Sequence, residues 1–540
     1  MLNFDPSRRP YPSIRYPVYA SRGMVAASSP QASAAGLQIL RSGGNAVDAA
    51  VAAAAALTVT EPTANGMGGD AFALVWIEKD RRLFGLNASG RAPRGITVES
   101  VLSRNPPGGG MPALGWIPVL VPGIPKAWAA LVRRFGRLSL GGVLEPAADY
   151  AEGGYPAGPA LAEAWKRSFD RYSRECGGPE FAEWFRTFAP AGHPPSPGEI
   201  VRLPDHARTL RSLGASECES FYRGELSERI VRDSEEFGGF LRKEDLADYE
   251  LEWVDPISVA YRGYEVCEIP PNGQGIVALM ALNMLKEFPA APEPSPEEYH
   301  RTWEAMKLAF ADGKAHVTDP AGMSVHPRDL LSPEYGALRA REIGSTARVH
   351  PASTPGRSGT VYLCTADGEG NMVSYIQSNY MGFGSGVVVR GTGIALQNRG
   401  YDFSLDPGHV NRLEPGKRTY HTIIPGFLLS EGRALGPFGV MGGYMQPQGH
   451  VQVVKNLLDY GLDPQQALDA PRWQWTEGLK FIVEKDFPRS AAEDLARRGH
   501  EVAVSGDTAS FGRGQVILRL PGGALVGGTE GRTDSNIACW

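Results

Sequence analysis

Apolar positions at helical spacing (Val47, Val51, Ala54 and Leu57) predict a helix from about Ala46 to Thr58. An earlier helix opens at Ser29-Pro30, with serine as N-cap and proline in the first turn, and stops at Gly43-Gly44. The loop Glu61 to Asp70 leads into a strand from Ala71 to Ile77. Residues 125 to 250 read as helical, with Trp128, Trp165, Phe181 and Trp184 among charged neighbours. A turn at Pro270 to Gly275 precedes an apolar helix, Ile276 to Phe288, and His300 to Ala311 forms another. Residues 318 to 358 lack clear periodicity and read as a flexible connector. A strand-like run and a turn cluster then predict a hairpin: a strand from Val361 to Ala366, a turn over Asp367-Gly368-Glu369-Gly370, and a return from Met372 to Ser378. If Ala366 pairs near Asn371, Thr360 falls opposite Gln377 or Ser378. Near the C-terminal end, Met441-Gly442-Gly443 precedes a helix from about Gln448 to Asp459.

Composition narrows the function classes. A hydrophobic share of 42% and a charged share of 21% are those of a soluble globular protein. The net charge of −6 carries no long block of one sign, which argues against nucleic acid or an anionic membrane as partner. Five cysteines at wide spacings, without a CxxC pair, form neither a disulfide framework nor a zinc motif. Free thiols and the lack of an apolar segment near Met1 give a cytoplasmic expectation.

Candidate chemistry starts at Gly359-Thr360. A hydroxyl nucleophile at a strand start, faced by a second hydroxyl, suits an enzyme that cuts its own chain there. The new α-amine of Thr360, with a reference pKa of about 8, can then act as base for its own hydroxyl. An ordinary hairpin opened by a β-propensity threonine is the competing reading of that segment alone. Gly442 and Gly443, at a helix start, offer backbone N–H groups suited to an oxyanion hole. His300 and Glu304 lie one helical turn apart, but no third ligand of matching pattern stands nearby, so no metal site is expected.

Several motifs in order carry a resemblance: Gly43-Gly44-Asn45-Ala46-Val47-Asp48, Glu61-Pro62 with Gly66-Met67-Gly68-Gly69, and Ser89-Gly90-Arg91-Ala92-Pro93. To these are added the Thr360 hairpin, Pro415 to Pro425, Gly442-Gly443 and Ala470-Pro471-Arg472. The chain resembles the γ-glutamyltranspeptidase family of N-terminal-nucleophile hydrolases. That resemblance implies an α/β (α+β) fold, a four-layer αββα sandwich, and a precursor that cleaves between Gly359 and Thr360. A large subunit, 1–359, and a small catalytic subunit, 360–540, would form one domain. A dimer of such heterodimers is one assembly it allows. It implies Thr360 as nucleophile, Ser378 as the supporting hydroxyl, Gly442 and Gly443 as the oxyanion pair, and no metal or organic cofactor. In the substrate pocket the chain departs from the pattern. Ser89 stands where an arginine is usual, with Arg91 two residues on; Tyr380, Arg399 and the pair His421-Thr422 replace an asparagine, a glutamine and two serines. Asp402 matches. Arg91 and Arg399 are expected to grip a carboxylate. The short segment Ser404 to Gly416 predicts a site without a lid, as in the bacterial branch similar to glutathione hydrolase and oxamate amidohydrolase. The expected activity is hydrolysis of γ-glutamyl amides such as glutathione, with transfer to amino acids; the alternative is hydrolysis of another carboxylate-bearing amide such as oxamate. A binding protein with a dead site is the reading from another class, and retention of Thr360, Ser378, Asp402 and both glycines counts against it.

Overall fold

Two antiparallel sheets stack face to face between layers of helices. The computed structural model describes residues 15–105, 109–350 and 359–540. One seven-stranded sheet runs in the order Asn536–Cys539, Gly23–Ala27, Gly359–Asp367, Met372–Tyr380, Asp70–Ile77, Arg82–Ala88, Glu252–Val254. The other runs Val18–Ala20, Leu525–Thr529, Arg513–Arg519, Arg433–Met441, Gly426–Ser430, Tyr264–Glu268, Ile257–Tyr261. Each sheet therefore takes strands from both sides of Thr360.

Alternation along the strands explains the layering. On the central hairpin Val361, Leu363, Val373 and Tyr375 face the helices Pro30–Arg41, Ala46–Thr60 and Leu140–Gly153. Their neighbours Tyr362, Cys364, Met372 and Ile376 face the second sheet, where they meet Phe427, Met441 and Ile517. The helices Gly275–Leu285, Pro296–His316 and Met445–Leu458 close the far side. This is the expected αββα sandwich.

Local chemistry sets the helix ends. Ala46–Thr60 is buried along its whole length, and its many alanines let neighbouring elements approach closely. The Asn45 side chain accepts from the N–H groups of Val47 and Asp48, completing a capping box. Ser29 does stand at the N-cap of Pro30–Arg41, but its hydroxyl makes no cap bond and donates to Gln31 instead. Among its described residues, the stretch read as a flexible connector holds two α-helices, Pro327–Leu330 and Pro333–Ala340, after a 3-10 turn at Pro320–Gly322. They are too short to show periodicity; a proline in the first turn and caps from His326 and Ser332 define them. The end of that connector, residues 351–358, lies outside the described residues. Among the described residues no helix is long and apolar enough to cross a membrane.

Candidate active site

The hairpin pairs Ala366 with Met372 and Val361 with Gln377, but Gly359 with Tyr380. The register slips between Gly359 and Val361, so Thr360 faces a bulge formed by Ser378 and Asn379. Bulges re-aim side chains, and here two hydroxyls meet. Thr360 Oγ1 donates to Ser378 Oγ at 3.1 Å, and both residues are fully buried. Ser378 Oγ donates to the carbonyl of Gly359 at 2.7 Å and accepts from the N–H of Tyr380 at 2.7 Å. Gly359 itself is wedged: a Cβ there would lie 3.0 Å from the Gly382 nitrogen and 3.2 Å from the Thr63 oxygen. A side chain at 359 would therefore crowd the backbone of Thr63, Ala64 and Gly382.

Tyr380 turns the chain out of the strand with φ at +77°, a conformation bulky residues adopt only under constraint. The turn lays its hydroxyl on Asp402 Oδ1 at 2.6 Å. Arg399 is fully buried beneath it, its guanidinium carbon 4.1 Å from the Tyr380 ring centre. Its Nη1 donates to Thr422 Oγ1 at 2.7 Å and its Nη2 to Ser378 Oγ at 3.4 Å. Arg399 thus reaches the hydroxyl pair and is not an open fork awaiting a carboxylate. His421 lies close by, but both ring nitrogens are occupied: Nε2 contacts Asp70 Oδ2 at 3.1 Å and Nδ1 accepts from Ile423 N–H at 3.4 Å. Burial, reinforced by Arg399, lowers its pKa to about 4, so it is a neutral strut at neutral pH. Burial likewise raises the Asp402 carboxyl, against the pull of Arg399 and Lys314.

The strand Arg433–Met441 ends at Gly442, and the helix Met445–Leu458 starts three residues earlier than the expected Gln448. Gly442 has φ at +140° and Gly443 at +62°, and a Cβ on Gly442 would stand 3.1 Å from the Gly512 Cα. Gln274 fixes this loop. Its side-chain nitrogen donates to the carbonyls of Thr422 (2.6 Å) and Gly443 (2.8 Å). Hydrogen bonds therefore run from Gly443 through Gln274, Thr422, Arg399 and Ser378 to Thr360. Gln274 sat in a turn legible in the sequence, yet nothing there linked it to residues some 150 positions on.

Arg91 is placed elsewhere. Its guanidinium donates to Asp319 Oδ2 and Glu252 Oε1, each at 3.1 Å, and to the Gly416 carbonyl at 3.1 Å. No hydrogen bond or ion pair among the described residues joins it to the Thr360 cluster, so the expectation of a carboxylate grip meets an arginine already paired. The pair His300 and Glu304 does gain the third member that the sequence spacing lacked. His500 brings its ring nitrogen to 2.9 Å from His300 Nδ1, and the three ligand atoms lie within 4.8 Å of one another. Lys307 Nζ, however, already sits 2.6 Å from Glu304 Oε1, balancing the carboxylate with a fixed cation. We expect amide hydrolysis to survive prolonged chelation. Loss on chelation with recovery on adding zinc would refute a threonine mechanism independent of metal.

The model of the family described as gamma-glutamyltranspeptidase matches residues 32–540. The chain belongs to the γ-glutamyltranspeptidase family. Within it, the chain is similar to a glutathione hydrolase-like YwrD proenzyme of Bacillus subtilis, 38% identical over 96% of this chain and 98% of the relative. It is also similar to an oxamate amidohydrolase proenzyme of Klebsiella pneumoniae, 34% identical over 96% and 98%. Among solved structures, a cephalosporin acylase from Bacillus halodurans matches with TM-score 0.95 and 57% identity, covering 99% of both chains. These likenesses support hydrolase chemistry for a γ-glutamyltranspeptidase-family enzyme.

Proposed function

We propose that this chain is a self-processing N-terminal-threonine amidohydrolase for amides whose acyl group carries a carboxylate. The Ser378 hydroxyl carries the reading, because it links the attacking hydroxyl of Thr360 to the carbonyl of Gly359. As Thr360 Oγ1 bonds to the Gly359 carbonyl carbon, its proton passes to Ser378 Oγ, and the Ser378 proton passes to the carbonyl oxygen. As the C–N bond breaks, the proton on that oxygen passes to the leaving Thr360 nitrogen, which gives an ester and the free amine; water then hydrolyses the ester to the Gly359 carboxylate and regenerates the Thr360 hydroxyl. The pieces are residues 1–359 and 360–540. In turnover the new amine takes the Thr360 hydroxyl proton, and the N–H groups of Gly442 and Gly443 hold the oxyanion. The proenzyme names of similar chains support maturation by cleavage, and the acylase and oxamate names support an acyl amide as substrate.

A second reading, hydrolysis of γ-glutamyl amides such as glutathione with transfer to amino acids, draws on one observation. Asp402 Oδ2 has no hydrogen-bond partner among the described residues and suits an α-amine. The deciding experiment assays purified protein on a γ-glutamyl anilide, glutathione, oxamate, glutaryl anilide and a neutral acyl anilide. We expect the carboxylate-bearing amides to exceed the neutral one in kcat/KM by about tenfold or more, the scale of one charge-assisted contact. Preference for the neutral anilide would remove the carboxylate from the proposal. A γ-glutamyl substrate far ahead of glutaryl anilide would favour the second reading.

A further inference from the structure

Lys314 lies in the last turn of the helix Pro296–His316, in a stretch with no recognisable motif. Its ammonium donates to the Tyr444 hydroxyl and stands 3.8 Å from the Tyr444 ring centre and 4.4 Å from that of Tyr420. Tyr444 follows Gly443 directly, and its hydroxyl reaches Asp402 Oδ1 at 3.4 Å. The ammonium is thus held beside both the glycine loop and the pocket carboxylate.

The two arginines expected to bind a carboxylate are otherwise engaged. Arg91 is paired with Asp319 and Glu252. Arg399 has no exposed surface and serves Thr422 and Ser378, with Asp70 and Asp402 at 3.8 and 3.7 Å. Lys314 differs on both counts. It keeps some exposed surface, and it forms no ion pair with a carboxylate among the described residues. Phenol rings hold it, and rings stabilise an ammonium without neutralising it. Burying such a cation without a paired carboxylate is costly, and an anion from outside would offset that cost.

We propose that Lys314 binds the carboxylate of the substrate's acyl group and so sets the enzyme's preference for anionic acyl chains. This rests on the amidohydrolase reading of Thr360. The groups facing the ammonium are Asp402 from the 399–402 turn, Tyr420, Tyr444 and His409, whose own pKa is lowered by burial first and then by Lys314. Burial lowers the Lys314 pKa to about 8, with Asp402 opposing the shift. The ammonium is therefore present below pH 8 and lost above it. Anion binding should weaken as pH rises through that value, while binding of an uncharged analogue should not.

The test compares glutaryl anilide with its methyl ester, which differ in one negative charge, on mature wild type, Lys314→Met and Lys314→Arg. The readout is the acid-to-ester ratio of kcat/KM. In Lys314→Met it should fall about tenfold to a hundredfold, mainly through KM for the acid. Lys314→Arg should restore most of it. In wild type the ratio should drop above pH 8, and in Lys314→Arg that drop should vanish, because a guanidinium stays charged. An unchanged ratio in Lys314→Met, or an equal loss on acid and ester, overturns the proposal. If Lys314→Met does not mature, the wild-type and Lys314→Arg pH profiles decide, and a ratio flat through pH 8 in wild type overturns it. A wild type that cuts itself and hydrolyses both anilides with such a flat ratio refutes Lys314 alone. A wild type that hydrolyses neither refutes the amidohydrolase reading, and the Lys314 proposal falls with it.

Discussion

Thr360→Ala should leave a single uncut chain of 540 residues that hydrolyses no amide. In the proposed mechanism cleavage and turnover use the same oxygen, and the hydroxyl beside it cannot substitute. Ser378 Oγ already donates to the Gly359 carbonyl oxygen and is held by Tyr380 N–H and Arg399. Loss of a nucleophile that acts in such a unit costs about 10⁴-fold to 10⁶-fold in turnover. Thr360→Ser keeps the attacking oxygen but loses the methyl group that limits its rotamers. It should cut itself more slowly than wild type and yield the same fragments. A denaturing gel and N-terminal sequencing of the smaller fragment read both variants; an intact Thr360→Ala protein with normal amidase activity would sink the mechanism.

The second large effect is expected at the glycine pair. Gly443→Pro removes one N–H from the proposed oxyanion site, and one such donor is worth about a hundredfold to a thousandfold in kcat. Proline cannot adopt the native φ of +62°, so a companion variant is needed to separate the lost donor from a distorted loop. Gly443→Ala keeps the N–H and tolerates that conformation at a cost of about 1–2 kcal/mol. We expect Gly443→Pro to mature, because in the precursor the Gly359 carbonyl has Ser378 as its own donor, and then to turn over poorly. Gly443→Ala should mature and retain most activity. Equal turnover in the two variants would place the oxyanion donors elsewhere.

The parts of this molecule legible in its sequence are those written in local pattern. The Thr360 hairpin follows from two strand-like runs and a glycine-rich turn. The helix at Ala46 follows from the spacing of Val47, Val51, Ala54 and Leu57, and the Gly442-Gly443 corner from glycines before a helix. The slip in register at Thr360 was not legible, because it depends on Gly359 fitting against Thr63 and Gly382. Pocket side chains were harder still, since a residue type gives no orientation. His421 turns to Asp70, 351 residues away in sequence. Arg91 is drawn to Asp319 and Glu252. Lys314 gave no signal, since a lysine near a helix C-terminus usually just meets the helix dipole.

The interleaving of strands gives the proposed cut a consequence for the molecularity of folding. Neither piece owns a sheet: Gly23–Ala27 and Asp70–Ile77 flank the hairpin that begins at Gly359. The nick should therefore leave the native assembly insensitive to dilution, since separation means breaking both sheets. Once unfolded, the mature enzyme is two chains that must meet before either can form its sheets. Recovery from heat or denaturant becomes second order and concentration-dependent, whereas the uncut precursor refolds as one chain. Activation would thus exchange reversibility for chemistry, and the working life of the enzyme would be set by how slowly it unfolds.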